Sequence, residues 1–341
     1  MRDRRATRLQ PQDWTRVLAQ YRAPNTGRSV FELTITVVPF VVLWVSAWHA
    51  LSISVWVSIS LAILNAAFLV RLFIIMHDCG HGAFFKSRVL CNWTGRFLGV
   101  LALTPYDAWR QTHAIHHSST GNLDRRGIGD LPTLTVDEYV NRKWIGRALY
   151  RLVRHPLFMF GVVPIYTFFI LYRLPVGLMH AGWQYWLSAM TTNVVIATVL
   201  GGVYWVGGVD ALLFVFLPTM ILAASIGVWL FYIQHQFEHT TWEHEEQWKL
   251  QHAAFYGSSH YALPGPLRWF TANIGVHHVH HMASRIPFYR LDEVLRDHGE
   301  LADCQRITLY ESLHCARLHL WDESRQRLLT FSEALSHAKP A

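Results

Sequence analysis

Charged side chains are scarce in this sequence. Of 341 residues only 16% are Asp, Glu, Lys or Arg, while 52% are apolar. That balance is too greasy for an ordinary soluble domain and points to the bilayer. Cysteine is scarcer still. Cys79, Cys91, Cys304 and Cys315 form no C-x-x-C pair, so neither an iron–sulfur site nor a disulfide framework is indicated. Also missing are a C-x-x-C-H haem attachment, an HPGG haem motif and a glycine-rich nucleotide fingerprint. Basic residues outnumber acidic ones, 30 to 23, but without the interleaved aromatics of a nucleic-acid surface. They flank apolar runs and read as a topology signal, so no nucleic-acid partner is expected. Arginine-rich and without an apolar core, the first 28 residues are not expected to be a cleavable signal peptide.

Apolar runs are abundant. Four are long enough to cross a hydrocarbon layer of about 30 Å, at about 30–48, 53–76, 185–205 and 211–234. The second carries one charge, Arg71. It and the fourth are each roughly 36 Å long at about 1.5 Å per residue, and should protrude by about a turn. The links at 49–52 and 206–210 are short and free of Lys and Arg, so the runs pair as two hairpins. By the positive-inside rule both termini and the basic face are cytoplasmic, and the hairpin tips are outside. The expectation is an all-α integral membrane protein, multi-pass, in the inner membrane if bacterial, with four transmembrane helices as two hairpins and a cytoplasmic helical cap holding a di-metal site. A basic arm (1–29) precedes the membrane domain (30–295), and a cytoplasmic segment (296–341) follows it. Two shorter apolar stretches, 93–105 and 156–172, are expected to be interfacial or re-entrant.

The other abundant residue is histidine, with 21. Three clusters stand out: His77 and His81 in "HDCGH", His113, His116 and His117 in "HAIHH", and His277, His278, His280 and His281 in "HHVHH". Residues at i, i+3 and i+4 share a helical face. Any one cluster is weak, since a lone HxxHH is more often a surface run. Three at near-identical spacing, all on the cytoplasmic side, imply a site for two metal ions. Imidazole alone admits Zn, Cu, Ni or Fe. His235 lies at a height similar to that of His77.

With the three boxes go "GAFFKSR", "GNLDRRGIGDLPTLTVDEY", "FYIQHQFEHTTW" and "NIGVHHVHH…RIPFY". On these strings, over about 28–295, the chain resembles the membrane fatty acid desaturases, and within them the bacterial and plastid Δ12 (omega-6) acyl-lipid branch. The resemblance implies a non-haem di-iron centre, with O2 as co-substrate and with His77, His81, His113, His116, His117, His277, His280 and His281 as ligands. His235 best matches a ninth ligand. His239 departs from the pattern, standing where close relatives more often carry an acidic residue. With Asp78 and Asn273 it is a candidate to support the ligands, as are Asp107, Asp130 and Glu238. The implied reaction turns an oleoyl-type chain, as acyl-lipid or acyl-thioester, into a linoleoyl-type diene. Acid–base groups alone cannot break an unactivated methylene C–H, so the metal carries the hard chemistry. Electrons must come from a separate ferredoxin or small b-type cytochrome. Arg110, Arg125, Arg126, Arg142, Lys143 and Arg147 form a basic face that an acidic donor could use, though topology and lipid phosphates explain most of it. The same-class rival is a hydroxylase or ketolase on an acyl, alkane or carotenoid substrate. A metal-ion transporter is remote, because transporters place polar ligands mid-span.

Overall fold

The computed structural model describes residues 10–337. Helix α1 (Pro11–Val17) starts on a proline whose fixed φ suits a first helical turn. Trp14, Leu18 and Tyr21 are buried, and the Tyr21 hydroxyl donates to Asp297 at 2.7 Å. The described part of the basic arm is therefore packed on the body. Asn25 caps α2 (Thr26–Ala50), its side-chain oxygen accepting from the Arg28 amide at 3.0 Å. A four-residue link leads into α3 (Val55–His81), which ends at Gly82 with φ 67°, the left-handed conformation glycine adopts most readily.

The lone charge in the second apolar run has a partner. Arg71 pairs with Glu32 of α2, donates from Nε to Thr36 Oγ1 at 3.1 Å and donates to the Trp269 carbonyl; the Arg71, Glu32 and Thr36 side chains are buried. Two charges removed from water are tolerated only when paired and hydrogen-bonded in this way.

Helices α4 (Arg88–Leu101) and α5 (Tyr106–Ser119) follow, close enough that a Cβ on Gly95 would meet the Tyr106 ring at 2.2 Å. After the short α6 (Val136–Val140) come α7 (Trp144–Arg154) and α8 (Phe158–Arg173), bent by 63° to each other. The second apolar half begins with α9 (Trp183–Ala211) and continues through a π turn into α10 (Leu217–His235).

Among the described residues three helical stretches are long and apolar enough to cross a membrane: Thr26–Ala50, Val55–His81 and Trp183–His235. The last has 53 residues and would measure about 80 Å if straight. Both its ends nevertheless meet α5. Ser188 Oγ accepts from the Asp107 amide at 3.2 Å, and His235 Nε2 lies 3.1 Å from His116 Nε2. The reversal is at Gly208 (φ 68°, ψ −171°). Its tip abuts the end of α2, where a Cβ on Gly207 would sit 2.9 Å from Trp48 Nε1.

Three short helices, α11 (Leu250–Tyr256), α12 (Gly265–Phe270) and α13 (His277–Met282), complete the histidine-bearing end. Residues after 295 contribute strands that pair with earlier parts of the chain. Leu320–Asp322 pairs in parallel with Leu134–Thr135 and antiparallel with Arg327–Leu329, while Arg306–Thr308 pairs in parallel with His260–Ala262. Arg154, fully buried, fastens this layer. It donates to the Tyr232 hydroxyl, to Gln236 Oε1 at 2.8 Å and to the Leu318 carbonyl at 2.9 Å.

Candidate metal centre

Nine histidines meet at the ends of α3, α5, α10 and α13, in two groups. One holds His77, His81, His113, His117 and His280; the other holds His116, His235, His277 and His281. Within each group the ligand-capable nitrogens lie within 4.8 Å of one another. The helical spacing explains the division. In each HxxHH box the i and i+4 rings stay together, and the i+3 ring, turned about 60° off, goes to the other group. His113 and His117 thus join His280, while His277 and His281 join His116.

The nitrogens that face each other are Nε2 atoms. His113 is 3.0 Å from His81 and 3.1 Å from His117, and His280 is 3.2 Å from His117. In the second group His235 is 3.1 Å from His116 and 3.0 Å from His277, and His281 is 3.1 Å from His277. Such separations suit imidazoles about 2.1 Å from one ion. His77 Nε2 is buried with no hydrogen-bond partner among the described residues. An all-nitrogen set without thiolate suits a borderline transition metal. Burial first, and then the neighbouring imidazoles, hold His113, His117, His277, His280 and His281 well below the ordinary imidazole range. They are neutral near pH 7, as metal ligation requires.

The outward-facing nitrogens are partly held. His116 Nδ1 lies 2.7 Å from Asp130 Oδ1, and His77 Nδ1 lies 3.3 Å from Asp78 Oδ1. Asp78 also accepts from the Phe288 amide at 2.7 Å. His235 Nδ1 sits 3.1 Å from the Gly257 carbonyl, a backbone partner with no sequence signature. Trp109 stacks on His113, ring centroids 4.8 Å apart. The other supporting candidates stand elsewhere. His239 is exposed and belongs to neither group. Asn273 donates to the Phe288 carbonyl, Asp107 pairs with Arg96, and Glu238 pairs with Arg327.

A cavity of about 780 Å³ opens onto both groups. His77, His113 and His277 stand at one end, and its walls are apolar side chains of α3, α8 and α10, including Phe73, Val163, Phe168, Met220, Ala224 and Gly227. Sequence patterns alone gave no means of assembling this wall, because its residues come from three segments far apart in the chain.

Span-length apolar helices, a buried polyhistidine centre and an apolar cavity ending at it define a helical metal-site protein built for a greasy substrate. Comparison with known proteins makes the class specific. The family model described as fatty acid desaturase matches residues 54–311. A fatty acid desaturase of Bacillus subtilis is 39% identical over 323 residues, covering 95% of this chain and 91% of that protein. An sn-1 acyl-lipid omega-3 desaturase (ferredoxin) of Synechocystis is 29% identical over 231 residues, covering 64% and 61%. An sn-1 oleoyl-lipid 12-desaturase of Arthrospira platensis is 24% identical over 281 residues, covering 76% and 74%. The chain belongs to the fatty acid desaturase family. It is an oxidoreductase of lipid metabolism, and its apolar helices are those of a membrane protein.

Proposed function

We propose that this chain introduces a second double bond into a monounsaturated fatty acyl chain, oleoyl to linoleoyl in type, using O2 and two electrons from a separate donor. The observation that carries this reading is the apolar cavity ending on both histidine groups. Two iron ions, held by His77, His81, His113, His117 and His280 and by His116, His235, His277 and His281, would supply the oxidising power to remove hydrogen from unactivated methylenes. The balance is one O2, two electrons, two protons and two substrate hydrogens, giving two waters and one new C=C bond.

The chain's own residues do the rest. The walls from α3, α8 and α10 bind the acyl chain by apolar burial and keep bulk water from the reacting carbons. Phe73 and Trp109, in edge contact at 5.5 Å, lie beside His77 and His113 and restrict where a methylene can rest. Asp130, Asp78 and the Gly257 carbonyl fix the orientation of His116, His77 and His235.

Four transmembrane helices follow if the 53-residue stretch counts as two spans. The histidine end then lies on the cytoplasmic face, where the basic residues gather. Support for the Δ12 position comes from the box strings and the Arthrospira relative, whose name states a 12-desaturase of oleoyl-lipid. Support for a ferredoxin donor and an acyl-lipid substrate comes from the Synechocystis relative's name.

The test is the fatty-acid profile of a host that contains oleate and palmitoleate, expressing this chain or its His116→Ala variant with a compatible donor. A diene found only with the intact chain supports the reading, and derivatisation gives the bond position. A hydroxy or keto product overturns desaturation in favour of the sister reaction.

A further inference from the structure

Helix α7 carries a surface that the desaturation chemistry does not use. Trp144, Ile145, Leu149 and Leu152 are 72%, 54%, 57% and 50% exposed and form one stripe along the helix. Tyr150 and Arg154, on the other side, are buried. Arg142 and Lys143 stand at the start of the helix and Arg147 one turn in, and their side chains make no hydrogen bond or ion pair with the described residues. Acid is absent over a long distance: between Glu138 and Asp210 there is no Asp or Glu, while six Lys and Arg occur.

The placement of α7 follows from its neighbours. α8 runs along α10, with Phe160 against Trp229 at 4.8 Å and Phe169 against Phe216 at 6.3 Å. α7 bends 63° away from α8. Arg154, at the junction, is bonded to Tyr232 and Gln236 beside His235, where the apolar α10 ends. α7 therefore lies nearer to the plane of the membrane surface than to its normal, at the level of the histidine centre. Its Val153 forms part of the cavity wall.

We propose that α7 is an in-plane strap that reads anionic lipid. Its stripe sits among the upper acyl chains, and Arg142, Lys143 and Arg147 sit on the phosphates of negatively charged head groups. A soluble acidic redox protein would be served by the basic residues alone; it gives no reason for an exposed Trp and three exposed aliphatics on the same helix. Since Val153 of α7 forms part of the cavity wall, engagement of anionic lipid steadies the entrance for an acyl-lipid substrate. The proposal rests on the membrane reading but not on turnover.

The experiment is hydrogen–deuterium exchange of the full chain in bilayer discs of phosphatidylcholine alone or of phosphatidylcholine mixed with phosphatidylglycerol. Anionic lipid should slow amide exchange across 144–152 and leave that of α3 unchanged. In R142E/K143E/R147E the lipid difference should vanish, each lost charge being worth about fivefold, from roughly 1 kcal/mol per Lys or Arg at such a surface. Raised salt should reproduce the effect in the unaltered chain. Exchange in 144–152 that is equal in both lipids overturns the proposal. So does lipid-independent exchange that an acidic ferredoxin alone slows, which would assign the surface to the electron donor. A chain that does not enter discs at all overturns the membrane reading itself.

Discussion

The rings of His117 and His281 lie stacked, 4.1 Å between centroids and 14° from parallel, though they belong to different histidine groups. The last residue of the second box thus backs onto the last residue of the third. The two groups share a wall of imidazole, which sets the two candidate metal sites side by side.

This sharing makes single substitutions informative. His280→Ala removes a nitrogen from the five-membered group, and His281→Ala removes one from the four-membered group. Each variant should lose turnover and about half of the bound iron, because a site short of a ligand loses affinity. Membrane insertion should persist, since the spans are untouched. Metal analysis of purified protein decides it; a His280→Ala protein holding its full iron complement would take His280 out of the ligand set.

His278 stands between ligand positions but faces away from both groups. It is fully buried, with Nε2 3.0 Å from the Leu301 carbonyl. His278→Gln should keep the iron content and cost about 1 kcal/mol of stability through a poorer hydrogen bond. Unfolding in detergent and metal analysis on one sample separate the two effects. Iron loss at unchanged stability would mean that the helical register assigned to the third box is off by one.

The box spacing made most of this centre legible. An i, i+3, i+4 pattern on a helix puts three rings on one face, and the structure does so. The split of each box, i and i+4 to one group and i+3 to the other, follows the helical turn, but which rings of α5 join which rings of α13 was not legible, because that depends on the angle at which the two helices approach each other. Arg71 stood out as a lone charge in an apolar run, yet Glu32 lies on another helix, and no local pattern pairs them. Arg154 in the sequence merely flanks the apolar stretch at 156–172. Its burial depends on the Leu318 carbonyl, which lies 164 residues away. The strand pairing of residues after 295 to Leu134–Thr135 and His260–Ala262 was not legible, because it depends on long-range closure, which apolar periodicity does not report.

Asp130 should prove necessary to the four-histidine group. With its Oδ1 2.7 Å from His116 Nδ1, it fixes the ring orientation. Losing such a partner typically costs about 10–100-fold in metal affinity or activity. Asp130→Ala should therefore release iron to a chelator faster, and Asp130→Asn, which retains an acceptor oxygen, less so. Chelator kinetics indistinguishable from those of the unaltered chain in both variants would deny the carboxylate this role.

Acid should destabilise the chain in part through His319. Burial, then the charges of Arg154 and His155, push its pKa down to about 3, against an ordinary value of about 6.5. Above the ordinary value both folded and unfolded forms are neutral and the group is silent. Between the two values the unfolded chain takes up a proton that the folded chain refuses, so stability falls as pH falls, by at most about 1.4 kcal/mol per pH unit. The ring stacks on Phe331 at 4.4 Å, and its Nδ1 is buried without a partner. His319→Leu should therefore hold its stability better than the unaltered chain between about pH 6.5 and pH 5. Thermal unfolding in detergent across that window is the check, and parallel curves would exclude the residue.

Gly227 offers the most direct way to probe the cavity without touching a ligand. It lines the cavity, and a Cβ built on it meets nothing within 4 Å. It lies eight residues before His235 on α10, about 12 Å along the helix axis. Gly227→Leu would project an isobutyl group into the space proposed for the acyl chain, without a clash against the fold. Replacing a helical glycine should if anything favour the helix, by about 1 kcal/mol. The variant should keep its iron and its thermal stability, lose most activity on a C18 chain and retain more on a shorter one, as fatty-acid profiling would show. Undiminished activity on the longer chain, with iron intact, would mean that the substrate does not pass α10 at this point and that the acyl path must be sought along α3 and α8.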